Sequence, residues 1–254
     1  MVMIYYRKKT KNRKAPSFIL PVIAAALILI TGCDSGKATT TYVVIRPPVT
    51  DEWLNAGYIN GTDKWHVDFD NAALLDALPK MGIAPEYAEE FKATTLRYIR
   101  EFYVGLRISF SDAPLENGST PPPGRSIRAE QLGPNPYNTI AVYDGDEPYY
   151  LGRAYLDLFQ NSHIENNSGS RYTPLGVFID RYACYAPRPG DIDVCAKWLA
   201  ELCAHEIAHS LGLMHDNSCP NIMSIAHSYG DHEPFFTPRH YVFLMNVLPG
   251  PGRL

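Results

Sequence analysis

Leu202-Cys203-Ala204-His205-Glu206-Ile207-Ala208-His209-Ser210-Leu211-Gly212-Leu213-Met214-His215 is the stretch on which the reading of this chain turns. From Leu202 to Leu211 the only charged or imidazole groups are His205, Glu206 and His209; the others are Cys, Ala, Ile, Ser and Leu. A helix that is apolar on nearly every face is a buried one, and a carboxylate in that setting is costly unless something compensates it. The spacing says what does. His205 and His209 are four residues apart, so both rings leave one helix face and can meet a single ion. Glu206 lies beside them, placed to take a proton from a water polarised there. Gly212 can end the helix in a left-handed conformation without strain, after which the chain can reverse and deliver His215 as a third ligand. Three imidazoles leave room for water, the pattern of a catalytic rather than a structural zinc site.

Upstream, Pro189-Gly190-Asp191 is a stop followed by an N-cap, so the helix is expected from about Ile192 to Leu211. Asp193, Lys197 and Glu201 form an exposed stripe on its first half. His205 to His215 then fits the long signature H-E-x-x-H-x-x-G-x-x-H, and in this the chain resembles the metzincin zinc proteases. Asp216 follows the third histidine, as in adamalysin-like (reprolysin) members. Cys219-Pro220-Asn221-Ile222-Met223-Ser224 looks like their Met-turn, in which a methionine forms an apolar floor beneath the metal without binding it. Taken alone, Met223 would read as core. Ser224 and Ile225 follow it, so the tyrosine ligand of astacin-like members is not expected. His227, His232 and His240 read as surface or pocket residues.

The resemblance implies a catalytic domain over 65–254. Its fold would be α+β (α/β-like): a twisted, mostly parallel sheet with an active-site helix, a Met-turn and a C-terminal helix. The rest of the sequence supplies elements in a matching order. Trp65 to Phe69 alternates as a first strand. Pro85 opens a helix to about Tyr103, with Ala88, Phe91, Thr95, Ile99 and Phe102 on one face. Further strands are expected at Leu106–Phe110, Thr139–Tyr143, Gly152–Leu156 and Gly176–Ile179. A long proline-rich loop fills 112–138, and a polar loop runs from Asn161 to Arg171. Thr237-Pro238 opens a last helix to about Val247. In metzincins the substrate lies extended along an edge strand above the metal; Gly152–Leu156 is the counterpart here, and residues 223–237 would wall the pocket after the cleavage point.

The first 64 residues are set apart. Arg7, Lys8, Lys9, Lys11, Arg13 and Lys14 precede the apolar run Phe18–Ile30, which is too short for a comfortable bilayer span of about 20 residues. The run ends in Ile30-Thr31-Gly32-Cys33, which resembles a bacterial lipobox: residues 1–32 would be a signal peptide, and Cys33 the lipidated first residue of an exported, envelope-anchored protein. The alternative is an uncleaved membrane anchor. Residues 33–64 read as a tether and loose lead-in. Without residues 1–32 the chain has 23 − 6 = 17 basic against 27 acidic residues, a net charge of −10, which argues against nucleic-acid binding. In an exported domain the four remaining cysteines suggest disulfides. Three pairings are possible, and proximity along the chain favours Cys184–Cys195 with Cys203–Cys219. Asp144-Gly145-Asp146-Glu147 offers oxygens for calcium, although a tight acidic turn is the commoner use of such a tetrapeptide.

The function that follows from the resemblance is hydrolysis of peptide bonds in proteins or peptides, with Glu206 as the base. Two other classes compete with it. One is a catalytically silent metzincin-fold binding lipoprotein, against which the intact Glu206 argues. The other is a surface interaction protein with a purely structural metal, against which the three-ligand set argues. No cysteine lies between Cys33 and Cys184, so a thiol latch from the lead-in is excluded once Cys33 is acylated. Asp51, Asp63 or Asp68 could act in its place, yet activity without propeptide removal is the expectation.

Overall fold

The computed structural model describes residues 46–146, 149–158, 163–169, 174–225 and 233–250, together with the backbone of a short antiparallel pair, Ile4–Tyr6 with Tyr42–Val44. Apart from that pair, the expected signal peptide, Cys33 and the first part of the lead-in lie outside the described residues. So do Glu147, His227 and His232.

The described chain forms α1 (Asp51–Asn55), β1 (Asp63–Phe69), α2 (Asn71–Ala77), α3 (Ala88–Phe102), β2 (Ile108–Ser111), β3 (Arg125–Arg128) and β4 (Asn138–Tyr143). It continues with β5 (Gly152–Arg153), β6 (His163–Asn167), β7 (Gly176–Phe178), α4 (Ile179–Ala183), α5 (Ile192–Ser210) and α6 (Pro238–Val247). The sheet order is β2-β1-β4-β6-β3, with β7 paired to β4 and β5 paired to β7. The β1–β2, β1–β4, β4–β6 and β4–β7 pairs are parallel, whereas β3–β6 and β5–β7 are antiparallel. This is a mixed α/β fold with a mostly parallel open sheet. β4 sits at its centre, paired with β1, β6 and β7, and beside it β1 buries Trp65, His66 and Val67, as a parallel strand covered on both faces requires.

Two long helices pack against each other on the sheet. α3 buries Phe91, Thr95, Leu96, Tyr98, Ile99 and Phe102. Tyr103, just beyond its end, donates its hydroxyl to the Ala204 carbonyl at 2.9 Å. That bond joins α3 to the middle of α5. α5 buries thirteen of its nineteen residues, matching the apolar character of its sequence. Asp191 caps its start by accepting the Val194 N–H at 3.0 Å.

Several expectations need correction. The segment 46–64 is no loose tether. Arg46 stacks on Tyr241 and donates to the Phe236 carbonyl, Trp53 donates to the Arg100 carbonyl at 3.0 Å, and Tyr58 donates to the Ala113 carbonyl at 2.8 Å. The edge strand expected at Gly152–Leu156 is only Gly152–Arg153. The polar loop expected at Asn161–Arg171 contains β6, and the proline-rich loop contains β3. Ile179, expected in a strand, starts α4. Neither Cys184–Cys195 nor Cys203–Cys219 is joined in a disulfide. Cys184 and Cys195 donate instead to the carbonyls of Asp180 and Pro187. Cys203 is fully buried in the core on α5, while Cys219 belongs to the turn ahead of Met223. Asp144 takes the Asp146 N–H at 3.1 Å in an acidic turn. Among the described residues the only cluster of three or more His, Cys, Asp or Glu fit to hold a metal ion is the histidine trio.

Candidate metal centre

α5 ends in two hydrogen bonds that set the site. The Leu213 N–H reaches the Ala208 carbonyl and the Gly212 N–H reaches that of His209, each at 2.9 Å. This is the paired closure of a Schellman turn. It requires a left-handed residue, and Gly212 supplies it at φ +98°. A side chain there would also meet the Asp157 carbonyl oxygen at 2.7 Å, so the position is glycine for two separate reasons. The turn swings the chain back so that the Leu213 carbonyl accepts from His209 Nδ1 at 2.7 Å, and two residues later it presents His215.

The three imidazoles converge. His209 Nε2 lies 3.0 Å from His205 Nε2 and 3.1 Å from His215 Nε2. Nδ1 of His205 faces the Ile222 carbonyl at 2.6 Å. A carbonyl only accepts, so Nδ1 of His205 and of His209 must carry the proton, and both Nε2 lone pairs point inward. Lone pairs at such separations repel one another and call for a cation between them. Zinc–nitrogen bonds of about 2.0–2.1 Å in tetrahedral geometry place ligand nitrogens roughly 3.3 Å apart, close to the spacing seen. Burial holds the pKa of His209 and of His215 below the ordinary histidine value, which keeps both in the neutral, ligating form. The cluster therefore has the geometry and the chemistry to bind a metal ion.

Glu206 is buried beside the cluster, 4% exposed. Burial pushes its carboxyl up to about 8, and the Arg153 charge pulls the other way. A cation at the imidazoles would add to the pull of Arg153 and favour the carboxylate. Gly152 of β5 passes directly over this group: a Cβ at Gly152 would lie 2.6 Å from Glu206 Oε1. Sequence reading placed Gly152 at the start of an edge strand without giving it a role. A glycine inside a strand is itself a sign that something approaches the backbone closely. Gly152→Ala is expected to displace the Glu206 carboxylate, leave metal content unchanged and slow any hydrolysis by at least about tenfold, since misplacing a reacting group by ~1 Å can cost 10²-fold. Activity at the parent rate in this variant would show that the close approach is incidental.

The floor of the site is a tightly bonded loop. Met223 is fully buried, and its N–H donates to Asn221 Oδ1 at 2.8 Å. Asn221 Nδ2 donates to the carbonyls of Asp216 and Cys219, and so does the Ser224 hydroxyl. The Asp216 N–H closes the loop on the Met223 carbonyl at 2.9 Å. His240 is a correction: it is buried in α6, 4% exposed, with Nε2 3.0 Å from Asp216 Oδ2. The last helix thus pins the segment that carries His215. Asn221, Ser224 and His240 were not read as site residues; the only signal for the first two was that they flank Ile222-Met223 in the stretch read by resemblance as a Met-turn.

A second network places the edge strand against α5. Asn167 Oδ1 accepts the Tyr155 N–H at 2.9 Å, Asn167 Nδ2 donates to Ser210 Oγ at 3.0 Å, and Ser210 Oγ donates to the Tyr155 carbonyl at 3.3 Å. Between α5 and this segment lies a cleft of about 700 Å³. Its lining includes Tyr149–Ala154, the histidine trio, Glu206, Leu202, Ile222, Ser224 and Ile225. Glu201, read as part of an exposed stripe, is 2% exposed and also lines the cleft. Asp51, Asp63 and Asp68 do not line it; Asp63 is buried and accepts from Asn138 Nδ2 at 2.9 Å. No family model matches the chain, and a search of the curated proteins finds no matching relative.

Proposed function

We propose that this chain is a zinc-dependent endopeptidase of the metzincin type that hydrolyses peptide bonds in proteins or peptides. The observation that carries the reading is the convergence of three Nε2 atoms beside a buried carboxylate, beneath an edge strand in an open cleft. The strand order, the Schellman turn at Gly212 and the buried Met223 are compatible with the same family.

His205, His209 and His215 would hold the ion. Zinc bound there supplies a Lewis acid that polarises the scissile carbonyl and acidifies a water. Glu206 accepts that water's proton and returns it to the departing amine. Its apolar burial suits the first half of the shuttle, because a carboxylate whose pKa is raised is a stronger base toward the water's proton. β5 pairs with β7 on one side only, and its other edge offers main-chain groups to an extended substrate. Asp216 and His240 orient the His215 segment and take no part in proton transfer.

The zinc-loaded protein incubated with a mixed peptide library should yield internal cleavage products by mass spectrometry, and none after chelation. A zinc-loaded, folded protein that cleaves nothing would favour the silent binding protein.

We further propose anchoring to the bacterial envelope through a lipid on Cys33. Among the described residues no helix is long and apolar enough to cross a membrane. The mass of the mature N-terminal peptide decides this: recovery of intact residues 1–32 on the exported protein would refute it.

A further inference from the structure

The segment of chain that borders the cleft is held on alternate residues. The Leu151 carbonyl accepts the Phe178 N–H at 2.8 Å, and Arg153 lies opposite Gly176. β7 begins at Gly176, so sheet pairing stops there. Two side chains then take over the part of the missing strand. Asn167 Oδ1 accepts the Tyr155 N–H, Ser210 Oγ donates to the Tyr155 carbonyl, and Asn167 Nδ2 donates to that same hydroxyl. Asn167 and Ser210 are fully buried. Two residues on, the Asp157 N–H reaches the His209 carbonyl at 3.3 Å. Bonded and non-bonded positions alternate along an antiparallel pair. With residues 151, 153, 155 and 157 turned toward the body of the domain, the main-chain groups of Gly152, Ala154 and Leu156 are left to the other side. All three line the cleft, whereas Tyr155 and Asp157 do not.

We infer that Asn167 and Ser210 are positioning residues that carry the substrate edge past the end of β5, so that main-chain recognition runs from Gly152 to Leu156. The inference rests on the endopeptidase reading above, in which an extended substrate pairs with this edge. Neither side chain touches substrate; both act through the Tyr155 backbone. An edge that presents every second residue bonds every second residue of the substrate, whichever way the substrate runs.

The test is an ester scan. Peptides of one sequence each have a single main-chain N–H replaced by an ester oxygen, the scissile bond left intact, and are cleaved by the zinc-loaded chain. Esters at alternate residues should lower kcat/KM about threefold or more, the scale of one lost hydrogen bond, and those between should not. Asn167→Ala should abolish the penalty at one end of that row and keep the others, with zinc content unchanged and the loss of kcat/KM carried by KM. Ser210→Ala should do the same more weakly, and the double variant should lose no more than Asn167→Ala, because both act on one residue. A row that stays complete at the parental KM in both single variants overturns the inference and leaves the endopeptidase reading standing, as does a parent whose penalties do not alternate. A zinc-loaded parent that cleaves none of the peptides overturns both. If Asn167→Ala does not fold, the parent row and Ser210→Ala still decide.

Discussion

Glu206→Gln is expected to bind one metal per chain, fold as the parent does and hydrolyse peptide at least ~10²-fold more slowly, the usual scale for a lost general base. The substitution keeps size and shape, so Gly152 still passes over the side chain without a clash. It replaces a buried group whose charge burial already opposes, so the fold should tolerate the neutral amide. An amide cannot take a proton from water, and the loss should fall on kcat rather than on KM. Parent-level activity in a metal-loaded Glu206→Gln would remove Glu206 from the chemistry.

The second large effect concerns the imidazoles. His205→Ala, His209→Ala and His215→Ala should each reduce bound metal to a small fraction of one per chain and abolish hydrolysis. They should also differ in their effect on the fold. His205 and His209 are half-buried on α5, with Nδ1 bonded to the carbonyls of Ile222 and Leu213. Removing either leaves a carbonyl without its donor, at a cost of about 1–3 kcal/mol. His215 is exposed, so its loss should cost the metal and little else in the metal-free protein. In the parent, added zinc should raise Tm, because a ligand that binds only the folded state stabilises it; His215→Ala should abolish that rise. Full metal content in all three variants by elemental analysis would place the metal elsewhere.

What could be read from the sequence follows from which residues announce themselves by type and spacing. α5, its Asp191 cap, the Gly212 turn and the convergence of the three histidines were legible because each depends on local geometry: four residues per shared face, one left-handed glycine, one capping carboxylate. α3 and α6 were legible from helical periodicity and an opening proline. β6 was not. Its sequence, His163-Ile164-Glu165-Asn166-Asn167, is that of a loop, yet four of the five residues are buried. The burial is sustained by partners distant in sequence: the Asn138 side chain accepts from the Glu165 N–H, Asn166 donates to the Pro121 carbonyl, and Asn167 donates to Ser210. Hydrophobic patterning cannot see a strand held this way. α2 was missed although Asp70 caps it through the N–H groups of Ala72 and Ala73, a signal that was there to read.

Two misreadings at the site have a common cause. Glu201 was read as part of an exposed stripe with Asp193 and Lys197, and His240 as a surface or pocket residue; both are buried. Which face of α5 turns toward the cleft at Glu201 depends on the fold of the chain around it. The Asp216–His240 contact likewise joins the segment after His215 to the last helix. The expected disulfides failed for a related reason. Proximity along the chain favoured the pairs, but Cys203 is turned into the core beside Tyr103 while Cys219 sits in the loop before Met223.

Stepwise addition of zinc to the metal-free protein, with peptide hydrolysis measured at each step, asks whether one zinc held by His205, His209 and His215 makes this chain a protease. Activity should rise in proportion to added zinc and reach its plateau at one zinc per chain. Hydrolysis that is already full before zinc is added, or that stays absent at one bound zinc per chain, would overturn the proposed function.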